Sequence, residues 1–74
     1  MQNNYAKLIG RIAEKVGTQR ALAEKINVSE RSVSLKLNGI VGWKQDEIIL
    51  VCDALDIAVS DIPEYFFNAK VQSD

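Results

Sequence analysis

The sequence predicts an all-α fold, a compact five-helix domain over residues 1–74, and three observations support it. Apolar residues recur at intervals of three and four along most of the chain, which is the period of a helix that buries one face. Thr18, Ser29 and Ser60 precede three of these segments, and their hydroxyl groups suit helix N-caps. Gly17 and Gly39 follow two of them, where a left-handed residue commonly ends a helix.

The first helix is predicted over Tyr5–Val16, because its apolar residues form one helical stripe. The fourth is predicted over Lys44–Leu55, with Asp46 and Glu47 in its first turn, where the helix dipole favours negative charge. Trp43 is expected to fold its ring onto the core where the fourth helix begins. The fourth helix contains five consecutive apolar residues, Ile48–Cys52, which cover its whole circumference. Either the other helices surround this helix, or part of it meets a second subunit.

Residues 18–39 predict a helix-turn-helix, which is two short helices joined by a tight turn. Thr18 caps the first helix, Gln19–Ile26. Ser29 caps the second, which runs to Asn38. Asn27 stands at the turn, and asparagine enters the left-handed conformation at low cost. A pair of this kind places its second helix in the major groove of DNA. The alternative is a helical pair used only for packing.

The end of the chain is predicted to be an interaction segment over about residues 60–72, beginning with a short helix at Ile62–Phe66 that Ser60 caps. After it, Phe67, Ala69 and Val71 alternate with polar residues as in a short extended strand. A strand has no partner within an all-helical monomer and needs one from another subunit. A dimer or partner surface is therefore expected, with plain core packing as the alternative, at Tyr65, Phe66 and Phe67.

Charge is divided unevenly along the chain. The net charge is −1, yet residues 1–39 hold seven basic and three acidic residues, and residues 40–74 hold two basic and seven acidic ones. DNA affinity depends on the charges that face phosphate and not on the total. The basic half thus favours DNA binding by the helix-turn-helix. The alternative is that the surface charges are divided in this way by chance.

Composition argues against an enzyme and against membrane insertion. The chain has no histidine, no glycine-rich phosphate loop and no paired metal-ligand spacing, so no cofactor, metal or small-molecule substrate is expected. Cys52 is the single cysteine and stands in an apolar run, where core packing is expected and not catalysis. No apolar run is long enough to cross a membrane, so a cytoplasmic protein is expected.

The segment 18–39 resembles the helix-turn-helix of the phage repressor and Cro family. The resemblance rests on Gln19, Leu22-Ala23, Asn27-Val28-Ser29 and Asn38-Gly39. Beyond the motif, Trp43 and Ile62–Phe67 make the chain similar to small Cro-type or modulator-of-repression proteins of temperate phages. The resemblance implies a repressor-like fold and a regulator of the lysis–lysogeny switch, acting in the bacterial host cell.

In this family the second helix presents its outer residues to base edges. Arg31 is the strongest candidate, because a guanidinium binds the O6 and N7 of guanine together. Leu35 is expected either to touch a thymine methyl or to anchor a protein partner. Glu30 is expected either to accept a hydrogen bond from a cytosine amino group or to be only a first-turn acid that the helix dipole stabilises. Lys36 departs from the family, which commonly has an apolar residue there. By position, the reading face is Glu30, Arg31, Ser34, Leu35 and Asn38, and the phosphate-binding residues are Thr18, Gln19, Arg20, Ser29 and Lys36.

Two functions fit this sequence. The first is a transcriptional regulator that binds double-stranded operator DNA as a homodimer through the helix 29–38. The second is an antirepressor or modulator that forms a heterocomplex with a phage repressor and blocks or alters its DNA binding. The motif and the basic half favour the first function. The low pI, Glu30, Leu35 and the apolar C-terminal half favour the second function, in which acidic and apolar groups on the face of the second helix capture the basic reading helix of the partner.

Overall fold

The computed structural model describes residues 5–67, which form five α-helices and contain no strand. The helices are α1 (Ala6–Lys15), α2 (Gln19–Ile26), α3 (Glu30–Leu37), α4 (Gln45–Leu55) and α5 (Ile62–Phe66), with a 3-10 turn at Val59–Asp61. The predicted all-α class with five helices is confirmed. The predicted strand positions Ala69 and Val71 lie outside the described residues. None of the described helices is both long and apolar enough to span a bilayer.

The turn between α2 and α3 forms as the sequence predicts. Thr18 Oγ1 accepts a hydrogen bond from the backbone N–H of Ala21 at 3.0 Å. Ser29 Oγ accepts one from the N–H of Ser32, also at 3.0 Å. Asn27 ends α2 in the left-handed conformation, with φ at 63°. Because both helix starts are capped and the residue between them is fixed, the direction in which α3 leaves α2 is set locally.

The core is a single cluster to which every helix contributes. Trp43 packs against it as predicted, with its ring edge-on to the ring of Phe66 and the centroids 5.5 Å apart. Edge-to-face contacts of this kind add to the free energy gained by burying the two rings. The buried residues of the cluster are Tyr5, Leu8, Ile12, Leu22, Ala23, Ile26, Val33, Leu37, Ile48, Val51, Cys52, Leu55, Ile57 and Phe66.

Helix α4 is only partly enclosed by the other helices. Ile48, Val51 and Cys52 are buried, whereas Ile49 and Leu50 are 58% and 45% exposed. The expected core position of Cys52 is confirmed, and burial raises the pKa of its thiol. The alternative that the other helices surround α4 is therefore wrong, and its outer apolar side chains remain open to a contact.

The start of α5 differs from the prediction. Ser60 does not cap this helix, because it lies inside the 3-10 turn, and Asp61 is the residue at the N-cap position. Pro63 lies in the first turn of α5, where its missing N–H leaves no hydrogen bond unmade. The short helix itself spans the residues that the sequence predicts.

The three aromatic residues near the end of α5 point in different directions. Phe66 is 1% exposed, so its prediction as partner surface is wrong; its side chain fills the core beside Trp43. Tyr65 is partly buried against the same core. Phe67 is 61% exposed and stays a candidate for a partner surface.

Candidate functional site

Four of the five predicted reading residues share one side of α3. Residues spaced by three, four and seven positions lie along one face of a helix, and Val33 on the opposite side is buried in the core. Glu30 is exposed in the first turn, to one side of this face. The four residues, called the α3 face below, are Arg31, Ser34, Leu35 and Asn38.

The polar groups of the α3 face are not equally available. Asn38 Nδ2 donates to the backbone carbonyl of Ser34 at 2.8 Å and approaches the hydroxyl of Ser34 at 3.4 Å, so the amide is engaged within its own helix. Arg31 is exposed and makes no hydrogen bond or ion pair among residues 5–67. Its guanidinium is the polar group of this face that is most available to a ligand.

Two exposed apolar residues extend the α3 face, and the sequence places them only in a connection. The N–H groups of Ile40 and Val41 donate to the carbonyl of Leu35 at 3.0 and 3.3 Å, which holds their backbone against the last turn of α3. Ile40 is 69% exposed and Val41 is 40% exposed. The signal in the sequence is two β-branched apolar residues directly after Gly39, where a solvated connection usually carries polar residues.

Lys36 does not lie on the surface, so the prediction that it binds phosphate is wrong. The residue is 3% exposed. Its Nζ donates to the carbonyl of Gly42 at 3.2 Å and lies 3.1 Å from Oε1 of Glu47. The same ammonium lies 5.9 Å from the centre of the Trp43 ring. Lys36 therefore ties the end of α3, the connection after it and the first turn of α4 together.

Glu47 is the carboxylate that balances this buried ammonium. Burial disfavours its charged form, but the backbone N–H of Lys44 donates to Oε1 at 2.9 Å, and Lys36 adds a hydrogen bond and an opposite charge. The two hydrogen bonds and the opposite charge together outweigh burial and hold the pKa of Glu47 below its usual value. The expected role of Glu47 in the first turn of α4 is thus joined by a second role, as the partner of Lys36.

The basic residues of α1 face the C-terminal half of the chain. Lys7 lies 2.7 Å from the carboxylate of Glu64, and this hydrogen bond raises the pKa of Lys7. Lys15 lies 3.9 Å from the carboxylate of Asp56. Arg11 donates to two backbone carbonyls at the end of α4, at 3.0 and 2.8 Å. The three basic residues of α1 thus contact α5 and the end of α4.

Few cations remain on α2 and α3. Arg20 lies 3.8 Å from Glu24 on the same helix. Lys25 and Arg31 are exposed and make no ion pair among the described residues. Three exposed cations are few for a surface that neutralises several phosphates, because each phosphate contact needs a cation that faces the DNA.

The residues predicted to bind phosphate lie at helix starts. Thr18 and Ser29 are exposed and each uses its hydroxyl oxygen as an acceptor in a helix cap, which leaves the hydroxyl hydrogen free to donate. Gln19 is partly buried and Arg20 is exposed at the start of α2. A phosphate role for these four residues stays a prediction.

The chain is similar to the modulator of repression (MOR) of the temperate bacteriophage TP901-1 from Lactococcus lactis, whose solution structure it matches with a TM-score of 0.80. The two sequences are 51% identical, and the match covers 97% of each chain. Curated proteins give no match. Residues 1–69 match a family model, and the chain thus belongs to the family described as "Protein of unknown function (DUF739)".

Proposed function

We propose that the chain is a modulator of a temperate-phage genetic switch, which binds a phage repressor protein and alters its binding to operator DNA. The observation that carries this proposal is the 51% identity, over 97% of both chains, to a protein whose name is modulator of repression. The α3 face, with Ile40 and Val41 beside it, is the surface that we assign to the repressor.

The apolar character of this surface supports a protein partner. Ile40 and Val41 expose 69% and 40% of their surface, and Leu35 lies in the neighbouring turn of α3. Burying such side chains gains about 25 cal/mol for each Å² removed from water, and apolar residues form the centre of protein–protein interfaces. A charged phosphate backbone offers these side chains no comparable gain.

The charge of the α2–α3 surface supports the same choice. Arg20, Lys25 and Arg31 are its exposed cations, and Glu24 and Glu30 are exposed beside them. The net excess of positive charge on these helices is small, whereas strong nonspecific DNA binding needs many phosphate contacts. Glu30 suits a partner with a basic surface, because like charges repel and opposite charges attract across an interface.

Direct reading of operator DNA is the second candidate function. It is favoured by Arg31, which is exposed on the α3 face and free of intramolecular partners among residues 5–67. A free guanidinium on an outward helix face suits bidentate contact with guanine. The same group also suits a carboxylate of a protein partner, so Arg31 alone does not separate the two functions.

Binding of the chain to the purified repressor of the same phage, measured by isothermal titration calorimetry, tests the proposal. We expect Ile40→Lys to weaken binding about tenfold or more, because it replaces an exposed apolar contact with a charge. The matched control is Ile9→Lys on α1, which makes the same substitution at a side chain that is 42% exposed and should change the affinity less than about twofold.

A second variant separates the two functions. Leu35→Lys adds a cation to the α3 face, so it should strengthen binding to duplex DNA if this face reads DNA, and weaken binding to the repressor if the face holds a protein. No binding of the unsubstituted chain to the repressor, together with stronger DNA binding by Leu35→Lys, would overturn the proposed function in favour of the second candidate.

A further inference from the structure

A second apolar surface lies away from α3, along α4 and the 3-10 turn. Ile49 on α4, Val59 in the turn and Phe67 after α5 are 58%, 78% and 61% exposed. These three side chains border a groove, which we call the α4 groove. Single exposed apolar residues are scattered over the surface of most proteins, whereas several that lie side by side are typical of a contact site.

The α4 groove has an apolar end and an acidic end. The apolar end is a depression of ≈ 580 Å³, lined by Trp43, Ile48 and Phe67 among others. The acidic end is a depression of ≈ 300 Å³, lined by Asp53 and Asp56. Both depressions share Ile49, Val59 and Ile62, so together they form one continuous groove with a change of polarity along its length.

The polarity of the groove defines the chemistry of what it can hold. Apolar side chains fill the end at Trp43, and a cation at the other end meets Asp53 and Asp56, of which Asp56 already lies 3.9 Å from the ammonium of Lys15. No lysine or arginine lines the groove among residues 5–67. An amphipathic helix with apolar anchors and a basic residue near one end fits this arrangement, in the manner of helices that dock into grooves.

We propose that the α4 groove is a second docking surface, which takes a basic amphipathic segment of the phage repressor; this inference rests on the proposed function. Repressors carry lysine and arginine on the surface that neutralises phosphate, so they supply the cation that the acidic end requires. A repressor segment held in this groove is removed from DNA, which gives the chain a second means of altering repression.

A second copy of this chain fits the groove less well. A two-fold symmetric contact uses the same patch on both subunits. That patch supplies carboxylates and apolar groups and, among the described residues, no cation. Charge complementarity thus favours a foreign basic partner over self-association through this surface.

Trp43 provides a direct reporter of groove occupancy, because it is the single tryptophan of the chain and lines the apolar end. Incorporation of 5-fluorotryptophan gives one fluorine resonance, and the unlabelled repressor adds none. We expect this resonance to shift or be replaced by a new one when purified repressor is added to the full chain. The signal depends on the ring environment and is read separately from the affinity.

Two matched pairs of variants test the groove by calorimetry with the same repressor. Val59→Lys should weaken binding about tenfold or more, because it removes an apolar anchor and repels a basic segment. Ile9→Lys, the control of equal charge, should change binding less than about twofold. Asp53→Asn should weaken binding about two- to fivefold at low salt, and Asp46→Asn, on the same helix but outside the groove lining, should not.

The outcomes separate this proposal from the proposed function. If Val59→Lys binds like the unsubstituted chain and the Trp43 resonance stays in place, while Ile40→Lys still weakens binding, the groove proposal is overturned and the proposed function stands. If the unsubstituted chain does not bind the repressor, both are overturned.

A Trp43 resonance that moves with the concentration of the free chain assigns the groove to a second copy and also overturns the proposal. The same holds if Val71→Lys moves the resonance of the free chain, because the occupant is then the C-terminal end of the chain itself.

Discussion

Lys36 is a charged residue at a buried position, and the sequence alone presents these two properties as a conflict. It stands in α3 at a position where the phage repressor and Cro family commonly has an apolar residue, and its side chain is buried as an apolar residue would be. The aliphatic part of a lysine side chain packs well against apolar neighbours while the ammonium reaches a polar partner. Here the ammonium finds that partner in Glu47 and in the carbonyl of Gly42. The buried charge is therefore a structural element and not a ligand site.

Removal of the carboxylate at position 47 should destabilise the chain. Glu47→Gln leaves the ammonium of Lys36 buried without an opposite charge, and breaking such a pair costs about 3 kcal/mol of the free energy of unfolding. Urea denaturation at pH 7 measures the loss. Asp46→Asn, which removes an exposed carboxylate from the same turn, is the control and should change the free energy by less than about 0.5 kcal/mol. Equal losses for the two variants would contradict the role given to Glu47.

The double variant Lys36→Met with Glu47→Gln should recover most of this loss. An apolar side chain of similar length removes the buried charge itself, and replacing a buried pair by apolar residues is often neutral or stabilising. The cycle of single and double variants, measured by the same denaturation, gives the coupling free energy between the two residues. Additive losses would show that the two side chains do not depend on each other.

The pKa of Glu47 predicts how stability depends on pH. Because the folded state holds this pKa below the unfolded value of about 4.3, its contribution to stability is fully present above that value. The contribution is lost as the pH falls through the folded pKa. We therefore expect the difference in free energy of unfolding between the unsubstituted chain and Glu47→Gln to be constant from pH 8 to about pH 5 and to shrink below about pH 4. A difference that grows on acidification would contradict this assignment.

At the scale of the helices, Arg11 joins α1 to the end of α4. Its Nε donates to the carbonyl of Leu55 at 3.0 Å and its Nη2 to the carbonyl of Asp56 at 2.8 Å. The last carbonyls of a helix have no partner within it and carry partial negative charge, so a guanidinium fits both needs. The planar fork of arginine reaches two acceptors at once, which the single ammonium of lysine does not reproduce.

Arg11→Lys should therefore destabilise the fold although it keeps the charge. We expect a loss of about 1 kcal/mol in the free energy of unfolding, which is the typical net value of one hydrogen bond. Arg20→Lys is the matched control, because Arg20 is exposed and lies 3.8 Å from Glu24 in a surface pair that contributes little. Thermal and urea unfolding of both variants measure the difference. A loss for Arg20→Lys as large as that for Arg11→Lys would show that the bond to α4 contributes nothing of its own.

The helices could be predicted from the sequence where their ends are set locally. The caps at Thr18 and Ser29 and the left-handed Asn27 depend on neighbours three residues away or fewer, so residue type alone indicates them. The burial of Lys36 and Phe66 depends on contacts with α4 and Trp43. Such contacts join distant segments, and neither periodicity nor residue type shows them.

The candidate site could be predicted only in part for the same reason. Helical spacing was enough to group Arg31, Ser34 and Leu35 on one face. The exposed Ile40 and Val41 were missed, because the connection holds them against α3 through hydrogen bonds to the carbonyl of Leu35. The charge pattern predicts a basic surface for DNA, but three of its cations, Lys7, Arg11 and Lys15, contact groups on α5 and at the end of α4. The sequence gives no distances between such distant segments.

At the scale of the whole molecule, the distribution of charge and apolar surface favours the proposed contact with a protein over contact with DNA. The basic residues of α1 are engaged with the C-terminal half. Five of the seven large apolar residues that are exposed among residues 5–67 gather in two places: Ile40 and Val41 lie beside α3, and Ile49, Val59 and Phe67 border the α4 groove. The two proposed contact surfaces suit a protein that holds a larger partner, because each surface would add to the affinity and limit the orientations that the partner can adopt.

This arrangement predicts a weak dependence of DNA binding on salt. Each phosphate contact contributes a slope of about −0.9 to the plot of log K against log salt concentration, so the cations Arg20, Lys25 and Arg31 together give a slope no steeper than about −3. Fluorescence anisotropy with a labelled random-sequence duplex, titrated at several salt concentrations, measures this slope. Glu64→Gln, which releases Lys7 on α1, is the control and should leave the slope unchanged, because Lys7 lies outside the α2–α3 surface. A slope near −6 with a palindromic duplex selected from a random pool would instead identify an operator-reading protein, since two copies bound to one palindrome together supply about six phosphate contacts.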